Sequence, residues 1–185
     1  MLKYCLTAVA AAAAIATPAV AQEDSEPFTG PKVEAVAGTD GGLILGGGLG
    51  YDFQRGNIVF GLEGEALTST DRDCETLDST IQDRLCARTD RDLYAGGRIG
   101  FAVGAGTLVY GKLGYTNLRL DETYDPGTAP GTGFDIAYSL DGVRVGGGIE
   151  HKLGGSLYVK GEYRYSNYEG GAWKHDGVAG IGLRF

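Results

Sequence analysis

The stretch LYVKGEYRYS, Leu157 to Ser166, sets Tyr158, Lys160, Glu162, Arg164 and Ser166 on one parity. Leu157, Val159, Gly161, Tyr163 and Tyr165 occupy the other. Successive side chains of a strand point to opposite faces, so the segment predicts a strand with one charged face and one apolar face. A half-buried strand of a water-soluble sheet has the same pattern, with its charges in water. The fold turns on which face points inward.

The alternation recurs in eight segments: 32–39, 42–53, 57–67, 92–103, 107–120, 134–150, 156–166 and 177–185. None has an interior proline, as a hydrogen-bonded ladder requires. Connections at 40–41, 54–56, 104–106 and 151–155 are short, whereas 68–91 and 121–133 are long and polar and 167–176 is intermediate. Eight strands with tight turns at one end and longer loops at the other predict an all-β, antiparallel up-and-down barrel that crosses a membrane.

The two parities differ in kind. One carries Ile58, Phe60 and Leu62, then Leu93, Ile99 and Phe101, then Val143, Val145 and Ile149, and ends with Ile181, Leu183 and Phe185, without a charge. The other carries the acids Glu34, Glu63, Glu65, Glu150 and Glu162 against the bases Arg98, Lys112, Arg144, Lys160, Arg164 and Arg184. That near-balance contrasts with a chain of formal charge −8, whose excess acid lies in the leader and in loops holding Asp71, Asp73, Glu75, Asp78, Asp83, Asp90, Asp121, Glu122 and Asp125. A solvated face needs no balance, but a narrow lumen does, because unpaired buried charge is costly. The charged face is therefore expected inside, with Gly46, Gly48, Gly96, Gly100, Gly146, Gly148, Gly180 and Gly182 leaving room for long side chains. On the outer parity, Phe53, Phe101 and Phe185 fall near the short turns and Tyr115, Tyr163 and Tyr165 toward the long loops, the placement of two interfacial aromatic belts.

Lys3, an apolar run to Ala16 and the small residues of Ala19-Val20-Ala21 predict a signal peptide over 1–21, cleaved after Ala21, then a short acidic periplasmic leader over 22–31 and a barrel domain over 32–185. Cys5 leaves with the signal. Secretion places Cys74 and Cys86 in an oxidising compartment, where a disulfide is expected. The acidic balance argues against a nucleic-acid partner.

Little in the chain suggests chemistry. His151 and His175 are the only histidines, so a zinc centre or a histidine-based triad is not expected. His175 beside Asp176 and near Ser166 offers the one constellation that a lipid-modifying hydrolase could use. No cofactor site is expected, and eight strands leave an interior just wide enough for side chains to fill.

The ending GVAGIGLRF, with FGLEGE (60–65), GGRIGFAV (96–103) and RVGGGIE (144–150), resembles the small bacterial outer-membrane β-barrel family of opacity-protein-like and porin-like surface antigens. The resemblance spans about Lys32 to Phe185. It implies a Gram-negative outer-membrane location, lipid as the surrounding partner, and a terminal Phe185 read by the barrel assembly machinery. The expected function is that of a non-enzymatic monomer supporting the envelope and displaying surface loops, with a narrow porin and a lipid-modifying barrel enzyme as alternatives.

Overall fold

The structure, a computed structural model, describes residues 26–70, 72–128 and 130–185. The expected signal peptide and leader residues 22–25 lie outside the described residues. Nine strands are present among them: β1 Gly30–Thr39, β2 Leu43–Arg55, β3 Ile58–Ser69, β4 Arg72–Glu75, β5 Arg84–Val103, β6 Thr107–Asp125, β7 Phe134–Gly154, β8 Leu157–Tyr168 and β9 Trp173–Arg184. Every neighbouring pair is antiparallel. β1 closes on β9, and β3 pairs directly with β5, so eight strands form a ring while β4 hangs on β5 outside it. A closed ring satisfies every ladder hydrogen bond internally, which a lipid environment demands.

The short turns build one end. Gly56 (φ 61°) and Gly104 (φ 66°) adopt the left-handed conformation that such turns require and that side chains resist. Both termini of the ring lie there too, Gly30 opposite Asp52 and Lys32 opposite Arg184.

The other end departs from the sequence expectation. The segments 68–91 and 167–176, expected as loops, are in large part strand, and in 121–133 strand β6 runs on to Asp125: β5, β6 and β7 run 20, 19 and 21 residues, against 12 for β8 and β9. Together with β4 they stand beyond the ring as a projecting sheet. Alternation with one apolar face marks a strand between lipid and lumen, but β4 and residues 84–91 of β5, with water on both sides, have no such face and read as polar loop. The last strand starts at Trp173 rather than Gly177, where Lys174 and Asp176 read as polar loop but face the lumen. Cys74 and Cys86 sit opposite each other in the β4–β5 register and form the expected disulfide.

Inside the ring, Phe28 joins Val59, Ala102, Leu108 and Tyr110 in a buried cluster across the short-turn end, and Val36, Ile44 and Leu67 pack toward the other. Phe28 lies in the segment expected as a short acidic leader. Its backbone N–H donates to Gln54 Oε1 at 2.9 Å and its carbonyl accepts from Arg184 Nη1 at 2.6 Å, so the chain before β1 turns into the lumen. The apolar parity faces outward: Leu62 is 71% exposed and Leu49 67%.

Because the disulfide lies beyond the ring, its removal should loosen only the hairpin tip. Replacing both Cys74 and Cys86 by Ala is expected to leave the heat-modifiable gel shift of the barrel unchanged while proteolysis within 76–84 accelerates, a local loss of up to about 3 kcal/mol.

Candidate functional site

The lumen is filled by three tiers of charge. At the short-turn end, Arg98 and Arg184 each bridge the same two acids. Arg98 reaches Asp52 at 2.5 Å and Glu150 at 3.0 Å, and Arg184 reaches Asp52 at 2.5 Å and Glu150 at 2.6 Å. In the middle, Glu34, Glu63, Glu65 and Glu162 face Lys32, Lys112, Lys160 and Arg164. Lys112 Nζ sits 2.7 Å from Glu63, 3.0 Å from Glu65 and 2.9 Å from Glu162. Lys160 reaches Glu34 at 2.6 Å, Lys32 reaches Glu63 at 2.8 Å, and Arg164 joins Glu65 at 2.8 Å and Glu162. In the third tier, Arg144 meets Asp92 at 2.6 Å, and Lys174 lies 3.0 Å from Asp40, 3.2 Å from Asp92 and 3.4 Å from Asp176.

Tyrosines separate the tiers. Tyr110 donates to Glu162 (2.7 Å) beneath the middle tier with Arg98 stacked on its ring, Tyr158 donates to Glu34 (2.8 Å), and Tyr94 covers Lys112 at 4.3 Å. A guanidinium or ammonium over an aromatic face gains from the ring quadrupole when water is excluded. Facing glycines admit these rings: a Cβ at Gly96 would overlap Tyr94, and one at Gly182 would overlap Tyr158.

All eleven charged residues singled out from the sequence point into this lumen and are buried. Five more join them: Lys32, Asp52, Asp92, Lys174 and Asp176. Their signal was the same parity, since Lys32 precedes Glu34, Asp52 follows the glycines of β2, Asp92 precedes Tyr94 and Gly96, and Lys174 and Asp176 lead to Gly180. With them the tiers hold equal numbers of acids and bases, and Asp40 sits at the rim. Glu63, Glu65 and Glu162 could by themselves hold a cation, since three of their oxygens lie within 4.8 Å of one another. The Lys112 ammonium occupies that position.

The hydrolase constellation does not assemble. Ser166 and Asp176 face the lumen, where Ser166 accepts from Arg144 Nε at 2.8 Å, whereas His175 is exposed on the outside. There His175 packs among Tyr163, Tyr165 and Trp173, with Tyr163 Oη 2.5 Å from its Nδ1. Trp173 thus joins the expected upper aromatic belt of Tyr115, Tyr163 and Tyr165. Phe185, beside the short turns, is bonded through its N–H to the Pro31 carbonyl at 2.9 Å.

The projecting sheet is the second candidate. β8 leaves β7 at Gly142, so residues 134–141 of β7 pair only with β6 and present an unpaired edge. Phe134, Ile136 and Tyr138 stand exposed along it. Phe134 stacks on Tyr124 (5.3 Å), which donates to Asp83 at 3.1 Å. Tyr138 donates to Glu122 at 2.6 Å, a bond that raises the pKa of its phenol.

A closed antiparallel ring with an apolar exterior, aromatic belts and a charge-filled interior defines a membrane-spanning β-barrel. The chain belongs to the family described as outer membrane protein beta-barrel domain, whose model matches residues 7–185, and its place is the outer membrane of a Gram-negative bacterium. No curated protein sequence matches it. Among solved structures, it is similar to Yersinia pestis Ail, crystallised with the heparin analogue sucrose octasulfate, at 14% identity and a TM-score of 0.53 over 85% of this chain and 97% of Ail. The N-terminal β-barrel domain of Pseudomonas aeruginosa OprF gives 14% and 0.53 over 84% and 98%. A major outer membrane protein from Thermus thermophilus gives 15% and 0.51 over 84% and 98%. At these identities the likeness shows the fold.

The lumen makes a stability prediction. Lys112→Met removes the one cation shared by Glu63, Glu65 and Glu162, leaving the buried tier one positive charge short, and should cost about 3–5 kcal/mol. Combining it with Glu65→Gln should recover part of the loss, measured by urea unfolding in lipid vesicles.

Proposed function

We propose that this barrel is a non-enzymatic, monomeric anchor with a plugged lumen, and that its work is surface display by the projecting sheet. The observation that carries the reading is the unpaired β7 edge, a row of free backbone donors and acceptors with an apolar face at Phe134, Ile136 and Tyr138. Such an edge can accept an extended segment of another protein as an added strand. β4, the opposite edge, is four residues long and charged at Arg72, Asp73 and Glu75, features that protect an edge.

Charge narrows the partner. Residues 72–91 and 119–140 hold nine acids among the described positions (Asp73, Glu75, Asp78, Asp83, Asp90, Asp121, Glu122, Asp125 and Asp135) against the bases Arg72, Arg84, Arg88, Arg91 and Arg119. A polysulfated ligand of the kind crystallised with Ail does not suit this sheet, and a neutral or basic polypeptide does. The mature chain begins after Ala21, and the terminal strand with Phe185 serves as the signal to the assembly machinery.

Two measurements test the proposal. Bacteria displaying the protein should bind a polypeptide-coated surface above the vector control, and Ile136→Lys with Tyr138→Lys should return binding to that control with the barrel gel shift intact. Binding unaffected by these edge charges would refute edge recognition. In planar bilayers the purified protein should give no stable, salt-proportional steps. Such steps would favour a narrow porin.

A further inference from the structure

One part of the lipid-facing surface differs from the rest. Over β1, β2, β3, β5 and β6 the exterior sinks into a concavity of about 1240 Å³. Its floor is small-residue backbone in register: Ala35 opposite Gly47, Gly47 opposite Ala66, and Gly64 opposite Ala95. Leu49 and Tyr115 rise at its sides. Tyr115 belongs to the upper aromatic belt, so the groove lies on the side of the barrel where the outer leaflet meets its headgroups.

Two steps up the same face, past Leu93 and Asn117, stand Arg91 and Arg119, directly opposite each other in the β5–β6 ladder. Like charges in cross-strand register destabilise a sheet unless an anion relieves them. The nearby acids do so only in part. Asp90 and Asp121 approach Arg119 at 3.7 and 3.8 Å, both beyond hydrogen-bond length. The Arg119 Nε is shielded from solvent and donates to no protein acceptor among the described residues, and exposed Arg91 forms no ion pair among them.

From this juxtaposition of an apolar groove in the membrane with two guanidinium groups at its headgroup end, we infer that the barrel binds a phosphate-bearing, acylated lipid of the outer leaflet. The acyl chains lie in the groove over Gly47, Gly64 and Ala95, and the phosphate is held between Arg91 and Arg119. Guanidinium is suited to that role, because its planar fork matches phosphate oxygens in pairs. The site lies outside the lumen. Arg119 is paired with Ser139 of β7, but its side chain is on the face opposite Phe134, Ile136 and Tyr138, so the edge variants Ile136→Lys and Tyr138→Lys leave the groove and both arginines in place.

The test uses the mature full-length protein in detergent micelles, with added bis-phosphorylated lipid A as probe and native mass spectrometry as readout. One lipid A per barrel should be retained, and the same lipid stripped of its phosphates should be retained about tenfold less. Arg91→Gln with Arg119→Gln should produce the same loss for the phosphorylated probe. Gly64→Leu should lower retention by filling the groove. A Cβ there meets nothing nearer than the Tyr94 carbonyl at 3.7 Å, and the gel shift reports its folding. If that variant does not fold, Ala95→Leu, whose parent already carries a Cβ, fills the same floor. Equal retention of the phosphate-free lipid, or undiminished retention by the folded groove-filled variant, would overturn the assignment.

Discussion

The structure depends on one constraint: charges drawn into a narrow barrel must cancel locally. Lys112 shows how this is met. Its ammonium has three protons and lies within 3.0 Å of three carboxylates that, without it, would crowd one another in a space closed to water. Below it, arginines bridge acids on different strands, so these ion pairs also tie the ring across its axis. Arg184 of β9 and Arg98 of β5 share Asp52 of β2 and Glu150 of β7, and one four-membered cluster spans half the strands of the ring. Buried pairs are weak evidence for net stability, but breaking one leaves a stranded charge. Such a lumen holds the barrel to a single register.

That constraint makes the barrel legible in the sequence. Near-balance of Glu against Lys and Arg on one parity, inside an acidic chain, has no reason to exist on a solvated face, and it marks the inward one. Asp52 and Lys174 are harder to read. They sit on the correct parity but at strand ends, where charge looks like turn. The projecting sheet is legible only in part: Phe134, Ile136 and Tyr138 alternate and mark β7 as strand, but β4 and residues 84–91 of β5 have water on both faces, so no hydrophobic period betrays them. Phe28 is hidden as well. A lone phenylalanine in an acidic leader carries no sign that the chain folds back into a lumen.

Three zones therefore divide the work. The exterior of the ring meets lipid, the interior holds the paired charges, and the sheet stands beyond the ring. The Ser166, His175 and Asp176 group illustrates how strict the division is. Adjacent in sequence or space, they are split between lumen and lipid by strand parity alone, and they cannot cooperate. The same parity gives a lipid site and a peptide-accepting edge separate surfaces, so each can change without disturbing the ion pairs inside.

The most direct test of this arrangement is spin-label accessibility along β3 in a lipid bilayer, with single cysteines placed from Ile58 to Ala66 in a background lacking Cys74 and Cys86. Collision with dissolved oxygen, which concentrates in hydrocarbon, should be high at Phe60, Leu62 and Gly64 and low at Gly61, Glu63 and Glu65. A reversed alternation, or none, would show that the acidic side chains do not face the axis, and the ionic core would fall with it.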